Sequence, residues 1–363
     1  MRVAVVGGGV FGCTIAVDLA RAGATVDLFE ARSDILDGAT ARCQARLHSG
    51  YHYPRSDSTA AAARDAAPAF AARFPEAIRT GAERYYVIAD DSRVDAQQYL
   101  AFCDRLGLPY ELADPPQVHR AQLTVRVPEA FVDVDMLRRL LRRDLSKAGV
   151  NLHVGSPVES GPQSGYDLTV FATYGQPWPS PLRYEICETV LVELGRYDQE
   201  SFVVLDGEYT SLDPYGRGHM LYDVKHSVHH ANVGYEPEIP AEYRGLLKRL
   251  GPVRTSLTRF DEMVESAGRY LRGLDPGGRG VCIYAGSLFS VRAVLPDVDA
   301  TDERPTLVQR SGSTVSVLSG KICTAVAAAR QVTEMALGGY AVGGVVHRSA
   351  PFVIQPCELV VPA

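Results

Sequence analysis

Apolar and polar positions change rhythm several times along the chain, and each rhythm predicts an element. Residues 3–6 form a continuous apolar run, the length of a short strand buried on both faces. Over 10–22, Val10, Ile15, Ala16, Leu19 and Ala20 recur at helical spacing, and 25–29 alternates toward a second strand. The opening 2–31 therefore predicts a β-α-β unit. An alanine-rich helix follows over 58–79, with interruptions expected at Pro68 and Pro75, then strands at 84–89 and 124–132 around a helix at 96–106. Over 135–148, Met136, Leu137, Leu140, Leu141 and Leu145 occupy one side of a helix and arginines the other. Strands at 151–154 and 168–172 come next.

From 184 to 235 the pattern alternates between turn signals, as in Cys187-Glu188-Thr189-Val190-Leu191-Val192-Glu193, the mark of a largely antiparallel sheet. Asp213 to Gly218 reads as a turn. Helices are expected at 242–250 and 257–271, a strand at 281–291, a strand at 314–318 and a closing helix at 322–337. The return to α/β character means that β-rich material is inserted into a discontinuous α/β domain.

The first turn carries the clearest chemistry. Gly7-Gly8-Gly9-Val10-Phe11-Gly12 joins the first strand to the first helix, and Glu30 ends the second strand. Gly7 permits the tight turn, Gly9 lets backbone approach a pyrophosphate, and Gly12 allows close helix–strand packing. The helix's free N–H groups and dipole face that pyrophosphate, and Glu30 is placed to accept from ribose hydroxyls. The combination predicts an adenine dinucleotide site; the competing reading is a glycine-rich turn in another α/β fold.

The 363 residues allow about two domains. A net charge of -6 removes the electrostatic case for nucleic acid or an anionic membrane as partner. The fingerprint starts at residue 2 and no apolar stretch is long enough to span a bilayer, so a cytoplasmic protein is expected. Seven dispersed cysteines without a CxxC pair fit reduced thiols better than disulfides or zinc. His226, His229 and His230 read as a polar strand face, and no metal site is assigned.

Gly7 to Glu30, with Ala16, Leu19, Gly23 and Val26 in the intervening slots, resembles the FAD-binding opening of the D-amino-acid oxidase and glycine oxidase superfamily. His48-Ser49-Gly50-Tyr51-His52-Tyr53-Pro54-Arg55 is similar to that superfamily's flavin-side loop, above all in its L-2-hydroxyglutarate dehydrogenase branch. Ala172-Thr173-Tyr174-Gly175 looks like the strand-end A-T-G element with Tyr174 inserted. Ser290 to Asp297 followed by Ser319-Gly320-Lys321-Ile322-Cys323-Thr324 resembles the C-terminal flavin segment.

The resemblance implies an α/β fold: a discontinuous Rossmann-type FAD-binding domain (1–80, 133–180 and 286–340) with an inserted, largely antiparallel β substrate domain (81–132 and 181–285) and a tail (341–363). It implies oxidation of a C–H bond beside an amine, with a hydroxyl as the alternative and a non-catalytic nucleotide binder as an alternative of another class. The substrate would be small and carboxylate-bearing. Without a second dinucleotide unit, electrons would pass from substrate to flavin and on to oxygen or another carrier, a reading set apart from flavin monooxygenases and disulfide reductases.

The implied cofactor-binding set is Gly7, Gly9, Val10, Phe11, Gly12, Glu30, Ala31, Arg32, Arg46, Leu47, His48, Val158, Thr173, Gly175, Arg292, Gly320, Lys321 and Ile322. Gly320 and Lys321 sit where a strand gives way to a helix, a place suited to negative charge at the flavin's pyrimidine edge. Arg292 offers a planar fork for a carboxylate, or a structural salt bridge with Asp297 or Glu303. His48 could serve as an acid or base, as a covalent flavin attachment point, or as structure; with His52 in the same loop and Arg292 it makes up the candidate catalytic set. Tyr51, Tyr53, Tyr222 and Tyr284 are expected to bind substrate.

Overall fold

The computed structural model describes residues 1–195, 197, 199–274, 282–296 and 302–338. The expected tail at 341–363, Asp297 and Cys357 lie outside the described residues.

Elements are numbered in chain order. A six-stranded sheet runs β17 (Leu307–Ser311), β18 (Thr314–Leu318), β10 (Leu168–Phe171), β1 (Arg2–Val6), β2 (Thr25–Phe29), β9 (Asn151–His153). All its neighbours are parallel except the β17–β18 hairpin. Helices α1 (Val10–Arg21), α4 (Val134–Lys147) and α7 (Ala325–Leu337) cover it, and Val3, Val5, Ile15, Leu19, Leu141, Leu145, Val170 and Val332 share one core. The leucine stripe of α4 is buried as the periodicity requires, and the Asp133 carboxylate caps the helix by accepting from the Met136 N–H at 2.8 Å.

The second sheet has nine strands, ordered β15 (Val228–Gly234), β11 (Leu182–Leu194), β14 (Gly218–Asp223), β13 (Thr210–Tyr215), β12 (Ser201–Leu205), β5 (Arg84–Ala89), β7 (Ala121–Arg126), β6 (Glu111–Leu112). In addition β16 (Cys282–Val294) pairs with β11 from Arg183 opposite Val294 to Leu194 opposite Cys282. The pairing is antiparallel except between β12 and β5. Helices α3 (Ala96–Leu106), α5 (Ala241–Lys248) and α6 (Phe260–Gly268) complete this half. A three-stranded sheet, β3 (Arg46–Leu47), β8 (Ala130–Val132), β4 (Ile78–Arg79), lies between the two in sequence.

Several expectations change. Helix α2 (Asp57–Arg73) runs through Pro68, because Ala60, Ala63, Ala67 and Phe70 bury one face and outweigh the lost backbone bond. The strand expected at 124–132 is two strands in different sheets, broken where Pro128 removes a donor. Asp213 is not in a turn: β13 continues to Tyr215, and only the tip of its hairpin with β14 turns. The boundary expected at 286 falls inside β16, which belongs to the second sheet along its whole length.

Candidate active site

Because β1, β10 and β18 are parallel, the loops leaving their carboxyl ends share one edge of the sheet. That edge is where α/β sheets open a ligand crevice. Here it opens on a cavity of about 660 Å³ facing β11 and β16, lined by Val10 and Phe11, by Tyr174, and by Ser319 to Ile322. Glu185, Cys187 and Thr189 of β11 line it, whereas Ile186 and Glu188, on the alternate face, do not.

At the nucleotide end the glycines have steric reasons. Gly7 has φ +103°, and a Cβ there would stand 2.6 Å from the Ala172 carbonyl oxygen; one at Gly12 would run into the Gly7 carbonyl oxygen. A Cβ at Gly9 would meet nothing nearer than the Thr40 hydroxyl at 3.6 Å, so the amino end of α1 keeps open space for a phosphate group. Glu30 accepts from the Gly8 N–H at 2.6 Å and the Arg32 N–H at 2.8 Å. One bond per oxygen leaves lone pairs for ribose hydroxyls. The Arg32 side chain itself is committed elsewhere, donating to the Leu247 carbonyl at 2.8 Å. The chain ahead of Val158 crosses beside Glu30, whose carbonyl accepts from the Ser156 N–H at 2.9 Å. The extra Tyr174 is accommodated by left-handed backbone at Tyr174 (φ +53°) and Gly175 (φ +74°), while the Thr173 hydroxyl donates to the Gln176 carbonyl at 2.8 Å. Gly7, Gly9, Gly12, Glu30, Ala31, Arg32, Leu47, Val158, Thr173 and Gly175 are not among the residues that line the cavity.

At the other end, Arg46, His48, His52, Tyr53, Lys321, Tyr222 and Arg292 all line the cavity. The His48 and His52 rings lie 5.4 Å apart, and each Nδ1 is buried without a hydrogen-bond partner among the described residues, as is the Tyr53 hydroxyl. Burial, followed by Lys321, holds His48 well below the usual histidine range; burial and Arg46 do the same to His52. Lys321 Nζ lies 4.7 Å from the Tyr53 ring centroid, and burial lowers its ammonium to about 8. Gly320 is required where it stands, since a Cβ would be 2.5 Å from the Arg304 carbonyl oxygen.

Other expected contacts are differently engaged. Arg46 forms a two-pronged, almost fully buried pair with Asp213, with Nε to Oδ1 at 2.9 Å. Arg292 pairs with Glu185 rather than with Glu303, Nε to Oε2 at 2.7 Å, and donates to the Tyr222 hydroxyl at 3.1 Å. Glu185 is also held by Arg183 at 2.9 Å. Tyr51 and Tyr284 fall outside the lining: Tyr51 is a core side chain donating to the Pro109 carbonyl at 2.6 Å, and the Tyr284 hydroxyl meets Ser287 Oγ at 2.7 Å. Glu185 and Tyr174, together with Asp206 paired to Arg55, line the cavity and were passed over by the sequence reading, as was Asp213, which is outside the lining and reaches the site through its pair with Arg46. Only Asp213 left a signal, since it falls in phase with the inward-facing Ser211.

A fingerprinted parallel sheet whose carboxyl edge opens on a polar cavity walled by a second, mainly antiparallel sheet defines a flavin-dependent oxidoreductase. Residues 2–175 match the family described as FAD dependent oxidoreductase, DAO. Glycine oxidase from Geobacillus kaustophilus superimposes with a TM-score of 0.64 at 16% identity, covering 94% of this chain and 96% of that one. L-α-glycerophosphate oxidase from Mycoplasma pneumoniae, with FAD bound, gives a TM-score of 0.68 at 12% identity over 92% of this chain and 94% of that one. The protein is an FAD-dependent oxidoreductase whose residues 2–175 are similar to the DAO family and whose fold is that of these flavoenzymes. In sequence it is 28% identical to the FAD-dependent monooxygenase FPY4 of Fusarium mangiferae, over 88% of this chain and 87% of the relative. It is 25% identical to the FAD-dependent monooxygenase kojA of Aspergillus flavus, over 92% and 85%. Those names mean that lacking a second dinucleotide unit does not by itself set this chain apart from monooxygenases. Among the described residues no helix is long and apolar enough to cross a membrane.

Proposed function

We propose that this enzyme oxidises a C–H bond beside an amine on a small, carboxylate-bearing molecule held in the 660 Å³ cavity. The observation that carries the proposal is the meeting of three segments in that cavity: the α1 turn, the His48–Tyr53 loop and the Gly320-Lys321 corner. FAD, when bound, supplies the hydride acceptor. The protein's part is to bind, orient and manage protons. The cationic side chains of Arg42, Arg292 and Lys321 in the lining favour an anionic guest. Tyr222 and Arg292, fixed to each other and to Glu185, give a rigid wall against which the substrate's polar end is set. Neutral His48 and His52 can take a proton from the substrate. The structural neighbours glycine oxidase, iminodiacetate oxidase and L-amino acid deaminase support the amine.

A hydroxyl as the oxidised group is the second reading, favoured by those two neutral histidines, because an alcohol must lose its hydroxyl proton whereas an amine need only bind in its neutral form. Anaerobic mixing of holoenzyme with panels of amino acids and 2-hydroxy acids, following loss of flavin absorbance, separates the two. Bleaching by hydroxy acids alone would overturn the amine assignment. Incorporation of label from ¹⁸O₂ into product, with consumption of a nicotinamide reductant, would replace both readings with oxygen insertion.

A further inference from the structure

We propose that Glu129 is a positioning residue for His48, fixing the backbone of its loop and directing the imidazole proton to Nδ1 so that Nε2 is left to the cavity. This rests on the reading of His48 as a proton acceptor. The pairing of β3 with β8 sets Arg46 opposite Phe131 and Leu47 opposite Ala130. One further step in that register sets His48 opposite Glu129, the spacing at which facing side chains interact.

Glu129 is 4% exposed, so its carboxylate must find partners inside the protein. Oε1 accepts from the Ser49 N–H at 2.8 Å and Oε2 from the Tyr86 hydroxyl at 2.8 Å. The first bond ties the carboxylate to the residue next to His48. Oε1 also lies 3.8 Å from His48 Nδ1, the buried nitrogen that has no hydrogen-bond partner among the described residues. A carboxylate only accepts, so a proton on Nδ1 is attracted while a lone pair there is repelled. A small shift of the loop on loading the cavity turns 3.8 Å into a hydrogen bond, as catalytic contacts commonly tighten. Gly50 at φ +109° lets the loop turn immediately afterwards, and a Cβ there would stand 2.9 Å from the Ala60 carbonyl oxygen.

The charged and titratable groups around the pair act in a consistent direction. Lys321, His52, Arg46 and Arg84 face His48 and oppose a second proton on its ring. Burial raises the Glu129 carboxyl, and the Ser49 N–H, Arg46, Tyr86 and Arg84 work against that rise. With Oε1 on the Ser49 N–H and 3.8 Å from Nδ1, Glu129 is the group that sets which nitrogen keeps the single proton, as a third group orients the base in other sites.

The test uses holoenzyme labelled with ¹⁵N-histidine, the His48 signals being identified by their loss in His48→Asn. Wild-type His48 is expected as the Nδ1–H tautomer. Glu129→Gln keeps an acceptor for Ser49 but removes the charge; it should lower the Nδ1–H to Nε2–H ratio at least about five-fold and the imidazole pKa by about one unit. The rising limb of the pH profile for anaerobic flavin bleaching should move the same way. An Nε2–H tautomer in the wild type overturns the proposal whatever the variants do, and so does a Glu129→Gln protein with unchanged tautomer ratio and titration. If no amine or hydroxy acid bleaches the flavin, the proton-acceptor reading of His48 fails, while the tautomer measurement still decides what Glu129 does.

Discussion

Asp213 and Arg46 show how much a single buried pair governs here. Burial works against the Arg46 charge, but the Asp213 charge and its hydrogen bonds more than offset that and hold the guanidinium above its ordinary range. Ser201 Oγ donates to the same carboxylate at 2.7 Å. Asp213→Asn should therefore cost about 3–5 kcal/mol by leaving a buried cation without its anion, whereas the double change Asp213→Leu with Arg46→Met should recover most of it; chemical denaturation of the wild type and these two variants checks this. The two cavity histidines give a pH signature of the opposite kind. Folded, both stay neutral; unfolded, both protonate near pH 6.5. The unfolded chain then binds more protons, so their contribution is present above about pH 6.5 and is lost as pH falls below it. Thermal melts from pH 7 to 5 should fall more steeply in wild type than in His48→Asn/His52→Asn, and equal slopes would show that the imidazoles protonate freely in the folded protein.

The β1-turn-α1 element is where sequence and structure agree most closely, because one steric rule, no room for a Cβ against backbone, sets both Gly7 and Gly12. Gly12 lets the first turn of α1 lie on the Gly7 carbonyl, and no rotamer change relieves a Cβ that meets backbone. Gly12→Ala should push α1 off β1, lowering flavin content per mole of protein several-fold and reducing stability by at least about 2 kcal/mol. Absorbance ratios and melting of the purified variant report both; near-normal flavin loading would mean the turn is looser than its contacts imply. The rest of the cofactor sheet was readable because its strands are short continuous apolar runs and α4 carries a clean leucine stripe. The polar cavity was not readable to the same degree. Glu129, Glu185 and Asp213 are acids inside otherwise ordinary strand-rich segments, and what recruits them is a partner far away in sequence: His48, Arg292 and Arg46. Local pattern reports which face of a strand turns inward, but it does not report which charge waits there. The same limit put Tyr51 and Tyr284 at the cavity, when one is a core tyrosine and the other packs against Phe260.

How the two large sheets are held together decides whether the cavity has a fixed shape, and Arg42 does much of that work. It is 4% exposed and has no carboxylate partner among the described residues; Nη1 donates to the Leu247 carbonyl at 3.0 Å and the Phe289 carbonyl at 2.6 Å, Nη2 to the Arg249 carbonyl, and Nε to the Asp37 carbonyl at 3.1 Å. Leu247 and Arg249 end α5, where unsatisfied carbonyls carry the negative end of the helix dipole. Arg32 reaches the same Leu247 carbonyl, so two cations from the loop after β2 clamp one helix end of the substrate side. Burial, with Arg32 nearby, lowers Arg42 to about 10, yet at neutral pH it keeps the charge that its carbonyl partners favour. Arg42→Met leaves those carbonyls buried without donors and should cost about 3 kcal/mol or more. Arg42→Lys should not restore it, because a single ammonium lacks the planar fork that spans carbonyls from α5, β16 and the Asp37 loop. The discriminating measurement is proteolysis of holoenzyme. In both variants the chain around 247–259 should be cut well before the nucleotide turn loses its flavin, because the clamp lies between the sheets and the pyrophosphate turn is held by β1, β2 and β10. Simultaneous loss of flavin and of protease resistance would show instead that the two sheets come apart only as one unit.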